Sequence, residues 1–219
     1  MAQQERARRT RELILDAAAE EFALRGYADT TMHAVVARTD MTKGALYGHF
    51  PSKEHIAGAL VQQALEAWRA LRRHCETPDL TAAAALEALA LGLADRLCTD
   101  VRFRAALRLT ADRRPYGADA PDVRPYGADA PDVFEDARQC LISLVRRAQQ
   151  EGAVRPHPPE VLAQLLLVFV YGTLHASRRG AEDEPLPGWE EAWRVLIEAL
   201  TTKAPVEHRT RKHTFPKES

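Results

Sequence analysis

Cysteine is scarce in this chain. Its three residues, Cys75, Cys98 and Cys140, are odd in number and far apart, which argues against a disulfide framework and against a zinc site. Aromatic residues make up only 6% of the sequence while Ala and Leu abound, a balance that favours helix over sheet. No apolar stretch reaches the ~18 to 20 residues that a membrane span needs. The opening residues, Met1 to Arg6, contain no hydrophobic leader, so a cytoplasmic protein is expected. Net charge is almost absent, at −1, and announces no nucleic-acid partner. Enzymatic signatures are missing as well: there is no GxSxG, phosphate loop, HExxH or CxxC. His33 falls on a different helix from His55, His74 and Cys75, which lie on different faces, so neither a metal nor a cofactor is expected.

What is present is enough apolar material, 46% of 219 residues, to bury one large core or two modest ones. Charge is uneven on a fine scale. Residues 1–53 hold eight Lys/Arg against seven acids, but the basic ones gather at 6–11 and at 43–53. A local patch can supply phosphate contacts in a neutral domain.

Hydrophobic periodicity predicts helix throughout. Leu13, Ile14, Ala17, Ala18 and Phe22 share one face of a first helix over residues 8–24, and Gly26 stops it. Asp29, Thr30 and Thr31 suit the cap of a short helix over 32–38. A turn at 39–41 follows, in which Asp40 tolerates left-handed backbone. Thr42 caps a third helix over 43–49. Ser52 caps a long fourth helix over 53–75, with Glu54 in its first turn, where it suits the helix dipole. Two short helices across a three-residue turn describe a helix-turn-helix. Val35, Val36, Ala45, Leu46 and Phe50 stand where the crossed helices and the first helix would meet. Thr42, Lys43, Gly44, Tyr47 and His49 are left pointing outward.

Further helices are expected over 80–99, 101–111, 134–150, from about 160 to 177, and over 189–202. The stretch 161–174 is apolar nearly all round apart from Gln164, Gly172 and Thr173, so it must be covered on every side. Residues 165–170 cannot stay wet on a monomer, and a dimer through the last two long helices is expected. The ten residues RPYGADAPDV at 114–123 recur unchanged at 124–133. Their prolines and glycines forbid a regular helix, and a dispensable surface loop is expected. The alternative is a functional loop in which Tyr116, Tyr126 or Phe134 lids a pocket. Residues 204–219 read as a disordered basic tail.

Residues 10–60, with FALRGY closing the first helix, a TT cap, TKGALYGHF on the third helix and SKE after it, resemble the DNA-binding domain of the TetR family of bacterial repressors. TKGALYGHF and RFRAALRLT at 102–110 resemble the Streptomyces γ-butyrolactone autoregulator receptor branch. The resemblance implies an all-α fold: a helix-turn-helix domain over 1–52, and a ligand-binding and dimerisation bundle over 53–203. The chain departs from the pattern at Asp40, where the family usually has Gly, and at Gly48, where the branch commonly has Phe. It also has no Trp between Trp68 and Trp189, although the branch is expected to carry a pocket Trp near Phe134. The expected effector is therefore a small apolar molecule, a γ-butyrolactone-like signal or an antibiotic-type metabolite.

On that resemblance the candidate DNA-binding residues are Thr31, Thr42, Lys43, Gly44, Ala45, Tyr47, His49 and Lys53. Lys43 is placed to reach guanine O6 and N7 in double-stranded operator DNA, or is a solvated lysine at a helix start. Gly44 permits close backbone approach. Thr42, Tyr47 and His49 offer donors to phosphates, although Tyr47 also suits a core position and His49 a plain surface one. Lys53 sits at a helix N-terminus, itself an anion site. Arg8 and Arg11 either grip the backbone or form a solvated first turn. Gln63, Leu86, Leu109, Leu144, Phe169 and Thr173 are the candidate pocket residues, taken from inward stripes with polar handles. The expected function is a homodimeric repressor released from a quasi-palindromic operator by its effector. A DNA-binding regulator without a small-molecule ligand, and an enzyme built on a helical bundle, are the alternatives.

Overall fold

The computed structural model describes residues 2–77, 79–111, 133–176 and 189–201. These form α1 (Ala2–Asp29), α2 (Met32–Ala37), α3 (Lys43–His49), α4 (Lys53–Cys75), α5 (Ala82–Thr99), α6 (Val101–Ala111), α7 (Val133–Gln150), α8 (Pro159–Ala176) and α9 (Trp189–Leu200). The only β pairing among the described residues is an isolated bridge between Val154 and Thr201. The first copy of the repeated block, all of the second but its last residue, and the tail at 204–219 lie outside the described residues.

α1 begins earlier than its apolar period suggests and runs on past Gly26. At Gly26 the backbone leaves helical geometry (φ 78°, ψ −178°), so the expected stop is a kink followed by one more turn. Thr30 Oγ1 donates to the Gly26 carbonyl at 2.7 Å and closes that turn. Ile14, Leu15, Ala18 and Phe22 are fully buried. Leu13 corrects the sequence reading, since it is 59% exposed. Two residues are about 200° of helical rotation, so Leu13 lies opposite Leu15.

α4 is the spine. Ile56, Leu60, Ala64 and Trp68 are buried along it, and the Trp68 indole donates to Asp136 on α7 at 2.5 Å. α6 packs against both α1 and α4 and grips α1 twice. Arg102 reaches Glu12 Oε2 (2.5 Å) and Asp16 Oδ1 (2.7 Å), and Arg108 donates to the Ala23 carbonyl. α5 packs on α7 and α9, and α7 on α8. Burial of each large side chain in this core contributes roughly 1.5–3 kcal/mol. No helix among the described residues is long and apolar enough to cross a membrane.

Candidate nucleic-acid interface

The local chemistry of α2 and α3 follows their threonines. Thr31 Oγ1 accepts from the Ala34 N–H at 3.1 Å and Thr42 Oγ1 from the Ala45 N–H at 3.2 Å, so each short helix has its first turn capped. A capping hydroxyl uses a lone pair and keeps its own O–H free to donate to a ligand oxygen. Val35 and Leu46 are buried where the two helices cross, and Val36 is packed beside them. The turn between them uses no left-handed residue. Among the described residues only Gly26 and Gly152 have positive φ, so Asp40 turns the chain in ordinary backbone and the left-handed expectation is corrected. α2 is fixed to α1 by Arg38, whose Nε meets the buried carboxylate of Glu21 at 2.5 Å and whose Nη1 meets Glu20 at 2.5 Å.

This anchoring presents one side of α3 to solvent. Thr42, Lys43, Gly44, Ala45, Tyr47 and Gly48 are exposed, His49 is half-buried, and Thr31 is exposed at the head of α2. Ala45 therefore belongs to the outer face and not to the packing between helices. Tyr47 is 42% exposed, with Lys43 Nζ 5.9 Å from its ring centroid. A Cβ built on Gly44 or Gly48 would meet nothing within 4 Å, so no contact inside the protein demands glycine at either place. Phe50 closes α3, its N–H on the Leu46 carbonyl at 2.9 Å, and is buried. Above its ring sits the Arg11 guanidinium, 4.6 Å from the centroid.

The Lys53 ammonium donates to the carbonyls of Tyr27 (2.7 Å) and Thr30 (2.8 Å) and lies 4.2 Å from the Tyr27 ring centroid. Burial holds its pKa below the usual lysine value. It ties α4 to the end of α1 with two of its three N–H donors. Glu54 beside it accepts from the Tyr27 hydroxyl at 2.7 Å. Hydrogen bonds from Ser52 and Tyr27 lower its pKa to about 2. Ser52 makes no side-chain cap; its hydroxyl pairs with His55 Nδ1 at 2.9 Å.

The candidate pocket residues are scattered. Gln63 Oε1 accepts from Arg102 Nη1 at 3.5 Å, within the junction of α1, α4 and α6. Leu86, Leu109 and Leu144 are buried in the core, and Phe169 packs edge-on against Trp193 at 4.9 Å. The side chain of Thr173 lies outside the described residues. A cavity of about 520 Å³ lies between α5, α9 and the turn after α7, bordered by Glu87, Leu91, Gly152 and Trp193; Gln63, Leu86, Leu109, Leu144 and Phe169 do not line it. On α8 and α9 an apolar face stays open: Val161, Leu165, Val168 and Val195 are 43–59% exposed.

The model of the family described as bacterial regulatory proteins, tetR family, matches residues 14–60. The A-factor receptor protein of Streptomyces griseus is 46% identical over 63 residues, 29% of this chain; the chain thus spans only 23% of that receptor's length. A solved gamma-butyrolactone receptor, an ArpA-like protein, is 31% identical with 94% of each chain covered and a TM-score of 0.71. CprB of Streptomyces coelicolor, solved in complex with its biological operator sequence, is 32% identical with 94% of each chain covered and a TM-score of 0.69.

Proposed function

Because the chain belongs to the tetR family of bacterial regulatory proteins, we propose that it is a cytoplasmic transcriptional repressor. It binds a quasi-palindromic operator as a homodimer and is released by a small apolar effector. The observation that carries this reading is the outer face of α3. Thr42, Lys43, Gly44, Ala45 and Tyr47 are exposed together on a helix that is capped, backed by a buried Leu46 and in contact with α2, which Arg38 fixes to α1. Such a helix enters the major groove with its N-terminal residues on base edges. Lys43 reads bases; Thr31, Thr42, Tyr47 and His49 hold phosphates. The apolar face of α8 and α9 is the surface that a second copy covers.

The effector belongs to the chemistry of the branch, a γ-butyrolactone or a comparably apolar metabolite, and the bundle beyond residue 53 receives it. Selection of duplexes from a random pool by the full-length protein tests the reading. Enrichment of a quasi-palindrome with half-sites one helical turn or a multiple apart is expected, and no enrichment would overturn it. Titrating the complex with synthetic γ-butyrolactones and with apolar antibiotics should release the DNA with one class. Indifference to both, and to culture extract, would instead make the protein a DNA-binding regulator without a small-molecule ligand.

A further inference from the structure

We propose that Arg11 of α1 is a phosphate-gripping residue, held against the end of the recognition helix by Phe50. The inference rests on the DNA-binding reading above. Most of the positive charge that the sequence places in the first 53 residues is consumed within the fold. Arg8 and Arg9 both turn to Glu5, at 2.8 and 3.5 Å. Arg25 and Arg38 neutralise the buried Glu21. Lys53 is spent on the carbonyls of Tyr27 and Thr30. Arg6, Arg11 and Lys43 are left with no carboxylate partner among the described residues. Lys43 is on the base-reading face, and Arg6 is exposed in the first turns of α1.

Arg11 differs from Arg6 in lying over an aromatic ring, and from Lys43, 5.9 Å from the Tyr47 centroid, in lying closer and over a ring that is itself buried. Its guanidinium lies over the ring of Phe50, 4.6 Å from the centroid. Phe50 cannot give way: it is 2% exposed and caps α3 through its N–H on Leu46. A guanidinium held over an aromatic ring keeps N–H donors that its ring contact does not use, and these suit phosphate oxygens. The charge thus lies over the C-cap residue of α3, while Arg11 itself is exposed. Phosphate contacts that flank a recognition helix set its register on the duplex. A cation already held over a ring in the free protein gives up less conformational freedom to make one.

The test uses the full-length protein, a duplex selected by it from a random pool, and an unselected duplex of the same length, with affinities measured over a range of salt concentrations. Arg11→Gln should weaken both duplexes by the same factor and reduce the salt slope by about 0.9, the value of one phosphate contact. Arg11→Lys should restore the slope. Arg8→Gln, which removes an arginine already held by Glu5 and leaves Glu5 to Arg9, should leave the slope as in wild type. If Arg11→Gln lowers affinity with an unchanged slope, Arg11 merely supports α3 and the proposal fails. Altered base preference with Arg11→Gln would make it a base reader and equally overturn it. If wild type selects no duplex, the DNA-binding reading falls and this proposal with it; a wild type that binds beside an unchanged Arg11→Gln sinks this one alone.

Discussion

The ammonium of Lys53 and the carboxylate of Glu54 sit side by side at the start of α4, and both look back to α1. Replacing Lys53 with Met would leave the Tyr27 and Thr30 carbonyls without their shared donor. Hydrogen bonds to charged groups contribute roughly 1.5–3 kcal/mol, so denaturant unfolding of Lys53→Met should show a loss on the order of 2 kcal/mol. The salt slope of DNA binding should stay as in wild type. Full stability combined with a smaller slope would restore Lys53 as a phosphate contact. The threonine caps were legible in the sequence because a cap is a three-residue relation: Thr31 to Ala34, Thr42 to Ala45. The role of Lys53 was not, because its acceptors lie 23 and 26 residues away and are backbone atoms, which no side-chain pattern announces. The Arg11–Phe50 stack escaped for the same reason of distance, although both residues stood in view.

At the scale of the element, α3 carries two glycines in seven residues, an odd outlay for so short a helix. Neither has positive φ, and neither position is crowded. Alanine is favoured over a helical glycine by up to about 1 kcal/mol, so Gly44→Ala and Gly48→Ala should each raise the melting temperature. If Gly44 is there for close approach to the groove, Gly44→Ala should gain stability while losing affinity for the selected duplex. Gain in stability with undiminished affinity would show that the glycine serves no contact. Helix boundaries were mostly legible: α3, α4 and α6 begin and end where periodicity and caps put them. α1 was not, because residues 2–7 have no apolar stripe to mark them. Leu13 was misplaced because a face assigned by listing apolar residues ignores which arc of the helix α4 and α6 cover.

For the molecule as a whole, the open apolar face of α8 and α9 sets the expectation of a dimer. Wild type should sediment at micromolar concentration as twice its 24.4 kDa chain, and Leu165→Glu with Val168→Glu should sediment as one. A wild type that stays at the chain mass would refute the proposed interface. The need for cover was readable from the unbroken apolar run, since such a helix has no polar side to show to water. A pocket is harder to read from sequence than cover is. Inward stripes mark burial, and Leu86, Leu109 and Leu144 are buried as packing, whereas a cavity depends on side chains that fail to meet. Two arginines of α6 hold α1. The boundary drawn along the chain near residue 52 is not a seam in the material. Glu12, Asp16 and the Ala23 carbonyl are matched to Arg102 and Arg108, so the reader is not an interchangeable cartridge. A hybrid regulator spliced at that point would inherit a first helix whose grips belong to another protein, and its α6 would have to travel with it.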